Sequence, residues 1–210
     1  MCADTYIAPA ASGRYKPIGR LALLSAALVF FFSCAVVSVP DAPDFYRRAA
    51  IEAVPFFPQN EYKCGPAAMA SVLSFWGALT AIEDVSAQVY QEKLKGSLPI
   101  DLFLYAKELG FEADYYKGSM ADLKRNIDAG VPLILFLNLG FKIYPIGHYV
   151  VVTGYDDARR VVIAHSDMTM NAEFGFDALR DAWEKNEFAT LRIRPKAERV
   201  ILNDADNIRD

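Results

Sequence analysis

Apolar and polar positions alternate with two different periods along this chain. Residues 64–76 carry Met69, Val72, Leu73 and Trp76 at helical spacing, and Gly77 follows as a stop. That predicts a buried helix that begins at Cys64. Thr80 and Glu83 stand three apart like a capping box, and predict a second helix reaching about residue 94. A third is expected over 100–109, closed by Gly110, and a fourth over 120–129, closed by Gly130. Between them, 111–116 reads as a short strand. Beyond residue 130 the pattern turns β-rich. Residues 131–138, 148–155 and 160–165 read as strands, the last two joined as a hairpin through 155–158. A closing helix over 176–185 and a final strand over 188–194 complete the list. Helices come first and a mostly antiparallel sheet follows, which is an α+β layout.

Upstream of this body the pattern is different. Residues 21–39 contain no charged residue, and Arg14, Lys16 and Arg20 precede them. A basic stretch followed by a short apolar run reads as an export signal. Three outcomes compete: lipidation at Cys34, an uncleaved signal anchor, and ordinary cleavage near Ala35. The order Phe31, Phe32, Ser33, Cys34 is similar to a bacterial lipobox, with Phe31 a poor match to the usual Leu. The run is 19 residues long, about the length that spans a bilayer. In each case the positive flank directs the body to the non-cytoplasmic side, periplasmic or extracellular. The expected organisation is a signal peptide or anchor over 1–34, a linker over 35–53, one domain over 54–195, and a polar tail over 196–210. The linker is expected to hold a short helix near 45–51.

Composition adds little. The chain has 210 residues and a formal net charge of −4. Without residues 1–34, 19 basic and 25 acidic residues remain, a balance of −6. The basic residues are scattered, so no nucleic-acid partner is expected. Oligomeric state cannot be read. Cysteine usage is more telling, because the only three are Cys2, Cys34 and Cys64. With Cys34 lipidated, Cys64 has no intramolecular disulfide partner in the mature chain.

Cys64 stands at a helix start, where unpaired N–H groups and the dipole favour a thiolate. Pro66 suits the first turn. Gln59, five residues upstream, can lend a side-chain amide to an oxyanion. Of the two histidines, His148 begins an apolar strand. A helix-start cysteine and a strand-mouth histidine are the ingredients of a Cys–His pair. Two histidines and one available thiol make no spaced metal-ligand set, and no metal or cofactor is expected.

The blocks VPFFPQNEYKCGPAAMASVLSFWG and GHYVVVTGYDD, in this order, resemble the papain-like cysteine peptidases related to bacteriocin-processing, double-glycine leader peptidases. The resemblance covers about 54–194. It implies a papain-like fold, with a helical half carrying the cysteine packed on a β half carrying the histidine. It also implies a peptide or protein substrate, with cleavage after small residues such as Gly-Gly. Cys64 matches the nucleophile, His148 the general base and acid, and Gln59 the oxyanion glutamine. The family's third residue is an Asp followed by Pro. In the closest register His165 falls at the Asp and Ser166 at the Pro, with Asp167 two residues beyond His165. Alternation along a strand would put His165 and Asp167 on one face. Asp167 is favoured as orienter because a carboxylate stabilises an imidazolium, with His165 as the alternative. Two other functions share these features: a non-catalytic peptide-binding or adaptor domain, and an acyl transferase using the same Cys–His chemistry. No Gly-x4-Gly-Lys-Ser/Thr loop is present, so no ATP site is expected.

Overall fold

A computed structural model describes residues 46–196, apart from 60, 61, 79 and 142. The export run 21–39, Cys34 and the tail after 196 lie outside the described residues. The elements follow in the order β1 (Arg48–Ala50), α1 (Cys64–Phe75), α2 (Ile82–Val89), α3 (Pro99–Glu108), β2 (Glu112–Lys117) and α4 (Met120–Asp128). Then come β3 (Leu133–Asn138), β4 (Gly147–Asp156), β5 (Val161–Ser166), β6 (Thr169–Gly175), α5 (Phe176–Glu184) and β7 (Ala189–Arg194). The strands form one antiparallel sheet in the order β2-β7-β3-β4-β5-β6, with β1 paired to β4.

Both faces of this sheet are covered. On β3 and β4, Ile134, Tyr149 and Val151 pack with Met69, Leu73, Val85 and Leu102 of α1–α3. The alternate residues Leu133, Leu135, Leu137, Val150 and Val152 pack with Leu123 of α4 and Leu179 and Trp183 of α5. A strand buried on both sides loses simple alternation, which is why LILFLN and HYVVV read as continuous apolar runs. The α+β expectation holds, with the refinement that helices cover the sheet on two sides.

Four local expectations need correction. α1 is buried all round from Gly65 to Leu73 rather than along one stripe, because it lies between the sheet and α2–α3. The capping box does not form: Ala81 is the N-cap of α2, and the Thr80 hydroxyl bonds back to the Ala78 carbonyl. That helix ends at Val89, since Tyr90 is extended and Gln91 bridges to Gly96. The connector holds a strand instead of a helix. β4 outruns β3, and β1 pairs Arg48–Ala50 with residues 156–154 of β4, where β3 no longer reaches. β6 was not expected at all, although Met170, Ala172 and Phe174 alternate with Thr169, Asn171 and Glu173.

Candidate active site

Cys64 is the first residue of α1 and is half-buried. Its neighbour Gly65 is needed for space. A Cβ there would lie 2.8 Å from the Ser97 Cβ and 3.4 Å from a Tyr149 ring carbon. The Tyr149 hydroxyl in turn donates to the Ser97 carbonyl at 3.0 Å. The helix start is thus wedged against β4 and the loop before α3. At the other end Gly77 adopts φ +82°, the left-handed stop that a residue with a Cβ enters only at a cost.

The sulfur environment pulls two ways. Burial pushes the Cys64 thiol above its ordinary pKa, and the nearby Asp167 carboxylate adds to that. The backbone N–H groups of Tyr149 and Gly65 favour the thiolate and offset part of the rise. The Tyr149 contact sets the thiol beside β4 one residue past His148.

His148 is buried near the mouth of β4, opposite Leu137 of β3. Its Nε2 lies 2.9 Å from the Ser166 hydroxyl and 3.6 Å from Asp167 Oδ2. Ser166 Oγ also donates to Asp167 Oδ2 at 3.3 Å. Burial holds the His148 pKa below the ordinary imidazole value, and Asp167 opposes that shift. Among the described residues neither His148 nitrogen is hydrogen-bonded to the Cys64 thiol.

The two residues weighed for the third position go to different places. β5 ends at Ser166, and Asp167 sits in the turn to β6 with φ +49°. Strand alternation therefore does not extend to it, and the expected common face with His165 is lost. His165 opposes Val151 of β4, and opposed residues share a face, here the α1 side. The His165 Nε2–H donates to the Val54 carbonyl at 3.0 Å, and the Asn171 N–H donates to Nδ1 at 3.2 Å. Both ring nitrogens are used, the ring packs against Phe56, and burial lowers its pKa. His165 props the extended segment before Cys64, while Asp167 lies beside His148.

That segment carries Gln59. The Ser71 hydroxyl bonds the Pro55 carbonyl, and the Gln59 N–H donates to the Asp167 carbonyl at 3.2 Å. The Gln59 side-chain oxygen is buried without a hydrogen-bond partner, in a crevice of about 10 Å³ against Ala67 and Ala68. Ser166 is the site residue that sequence reasoning missed. Its only signal was a hydroxyl at the end of a strand beside the candidate base.

The stretch just before His148 is pinned at its base. Asn138 Oδ1 accepts from the Gly140 and Ile146 N–H groups at 2.9 and 3.0 Å, and Lys185 Nζ donates to the Gly140 carbonyl at 2.9 Å. Phe141 and Ile143 on it are 76% and 80% exposed, and Met168 and Met170 are exposed on the β5–β6 hairpin. Among the described residues no group of His, Cys, Asp and Glu could hold a metal ion, and no helix is long and apolar enough to cross a membrane.

A helix-start cysteine packed on a sheet whose strand mouth carries a histidine defines the papain-like class of cysteine peptidase folds. Solved structures share it. The peptidase domain of Streptococcus ComA, a bi-functional ABC transporter involved in quorum sensing, is 24% identical, with a TM-score of 0.57 over 68% of this chain and 99% of that one. A putative C39-like peptidase from Bacillus anthracis is 16% identical, with a TM-score of 0.59 over 71% and 98%. A double glycine motif protease from an AMS/PCAT transporter, solved with its leader peptide, is 19% identical, with a TM-score of 0.52 over 70% and 95%. A search of curated proteins finds no match. The family model described as the Peptidase_C39 like family matches residues 51–190, and the chain belongs to that family.

Proposed function

We propose that this chain is a cysteine peptidase acting on peptide segments, with Cys64 as nucleophile and His148 as base and acid. The observation that carries this is the meeting of the α1 start with the mouth of β4, where Cys64 touches the backbone of the residue after His148. Burial disfavours both thiolate and imidazolium, while the backbone N–H groups at the thiol and Asp167 at the imidazole oppose it, so the ion pair is the minor, reactive form in the free protein. Its share grows when substrate closes the gap, a tightening common between free and occupied sites. His148 takes the thiol proton, and the sulfur attacks the amide carbon. The oxyanion is held by the Gln59 amide and the N–H groups at the helix start. The imidazolium then protonates the leaving amine, and the freed imidazole activates water to release the acid. Asp167 supplies the negative charge behind the imidazolium.

A peptide substrate fits the exposed apolar side chains beside His148, on the 139–146 projection and the β5–β6 hairpin. Cleavage after Gly-Gly follows only from kinship. The apolar run 21–39 supports a position on the non-cytoplasmic side of a bacterial membrane, held through a lipid on Cys34 or by the run itself. Mass spectrometry of the mature N-terminus separates these. For the activity, the test is a peptide library incubated with the full chain before and after iodoacetamide, with tryptic mapping of Cys64. Cleavage should fall in proportion to Cys64 alkylation; cleavage that persists with Cys64 fully alkylated rejects the proposal.

One observation favours a second reading, a non-catalytic peptide-binding domain. Both pKa shifts oppose the ion pair, and the Asp167 side chain is 66% exposed. In that case peptides bind but none is cleaved.

A further inference from the structure

We infer that Ser166 is the positioning residue that orients His148, and that Asp167 acts through its hydroxyl. This rests on the peptidase reading above. The shorter contact of His148 Nε2 is to Ser166 Oγ at 2.9 Å, a hydrogen-bond distance, while Asp167 Oδ2 lies at 3.6 Å, beyond one. Ser166 is buried; the Asp167 side chain is 66% exposed, where solvent weakens a direct ion pair.

The direction of the bonds follows from their chemistry. Asp167 offers only acceptors, so the single Ser166 proton goes to Oδ2. Ser166 Oγ can then only accept from His148, which places the ring proton on Nε2. That tautomer leaves Nδ1 bare, the form able to take a thiol proton. When Nδ1 takes it, the imidazolium still donates through Nε2, and the hydroxyl passes the carboxylate's influence to it without transferring a proton. His165, the preceding residue of β5, is already committed to Val54 and Asn171.

The test uses two substitutions of matching shape in the full chain, Ser166→Thr and Ser166→Val, which differ by one hydroxyl. Ser166→Thr should stay within about threefold of wild type in kcat. Ser166→Val should lose about 10–100-fold in kcat with KM little changed, the span expected for one hydrogen bond to a charged ring. It should also move the pH profile of Cys64 alkylation toward higher pH, in the direction of His148→Ala. Unfolding would do the opposite, by freeing the thiol from burial. Asp167→Asn should reduce kcat in the wild-type background and do nothing further in the Ser166→Val background. Equal kcat for the Thr and Val variants would overturn the inference, as would an Asp167→Asn effect of the same size in both backgrounds. Alkylation needs no substrate, so it separates the two claims. If His148→Ala shifts the profile and Ser166→Val does not, only the inference fails. If neither shifts it, the peptidase reading fails too.

Discussion

The two sides of the site are built on different terms. The cysteine side is a buried helix start, with Gly65 pressed against Ser97 and Tyr149 and the helix behind it covered from Gly65 to Leu73. The histidine side is a strand mouth whose support comes from a turn, where Asp167 adopts φ +49° with most of its side chain in solvent. Packing fixes the nucleophile to within the tolerance of a methyl group. Hydrogen bonds among Ser166, Asp167 and His148 fix the base more softly. The two sides are joined by the arm at 54–59, which His165 and Ser71 hold and whose Gln59 N–H reaches the Asp167 carbonyl. The nucleophile should therefore tolerate little change nearby, and the base more.

The sharpest break of that contrast is in the packing under α1. Leu73 is fully buried in the cluster that joins α1 to the sheet. Leu73→Ala should cost about 2–5 kcal/mol of stability in urea unfolding, up to some thousandfold in the folded-to-unfolded ratio. Next in size is the wedge itself. Gly65→Ala puts a Cβ 2.8 Å from the Ser97 Cβ, so the helix start must shift. A displacement approaching 1 Å costs about 100-fold in kcat/KM with the fold intact by circular dichroism. Ser97→Gly in the same chain should recover much of the loss, because it removes the atom in the way. On the soft side, Asp167→Asn should cost only about tenfold in kcat, since its carboxylate is largely solvent-screened. A loss as large as that of Gly65→Ala would erase the distinction between the two sides.

The smallest effect is a pH dependence of stability. Burial holds both His148 and His165 below the ordinary imidazole value of 6.5. A histidine whose folded pKa is depressed releases its proton on folding where the unfolded chain would keep it, so the unfolded chain binds more protons just below pH 6.5 and stability rises with pH there. Their contribution is complete above about pH 6.5 and drains away as pH falls through that value toward the folded pKa. The melting temperature should therefore drop as the pH is taken from about 7 to about 5.5. His165→Gln should flatten the slope. An unchanged slope would mean that burial does not hold His165 neutral.

The same contrast explains what could be read from the chain. The cysteine side was legible because its signals are local: Cys-Gly-Pro at a helix start, apolar spacing behind it, and Gly77 at the end. His148 was legible from a strand whose apolar run stands out. What failed were features set by distant partners. Thr80 had the letters of a cap but turned to Ala78. β1 formed because β4 outruns β3, a fact of strand lengths absent from residues 45–51. β6 is an edge strand with an exposed face, so the apolar–polar alternation that marks it is faint. Strand alternation would place His165 and Asp167 on one face, but β5 ends at Ser166 and the turn at Asp167 breaks that alternation. Ser166 carries no motif; only the fold puts its hydroxyl on His148.

The central claim is that Cys64 forms the covalent bond to substrate and that His148 enables it. The most direct measurement compares peptide cleavage by the wild-type chain with Cys64→Ala and His148→Ala, each verified as folded. The account predicts cleavage by wild type, none by Cys64→Ala, and a loss of at least about 100-fold for His148→Ala. Cleavage surviving Cys64→Ala would contradict it.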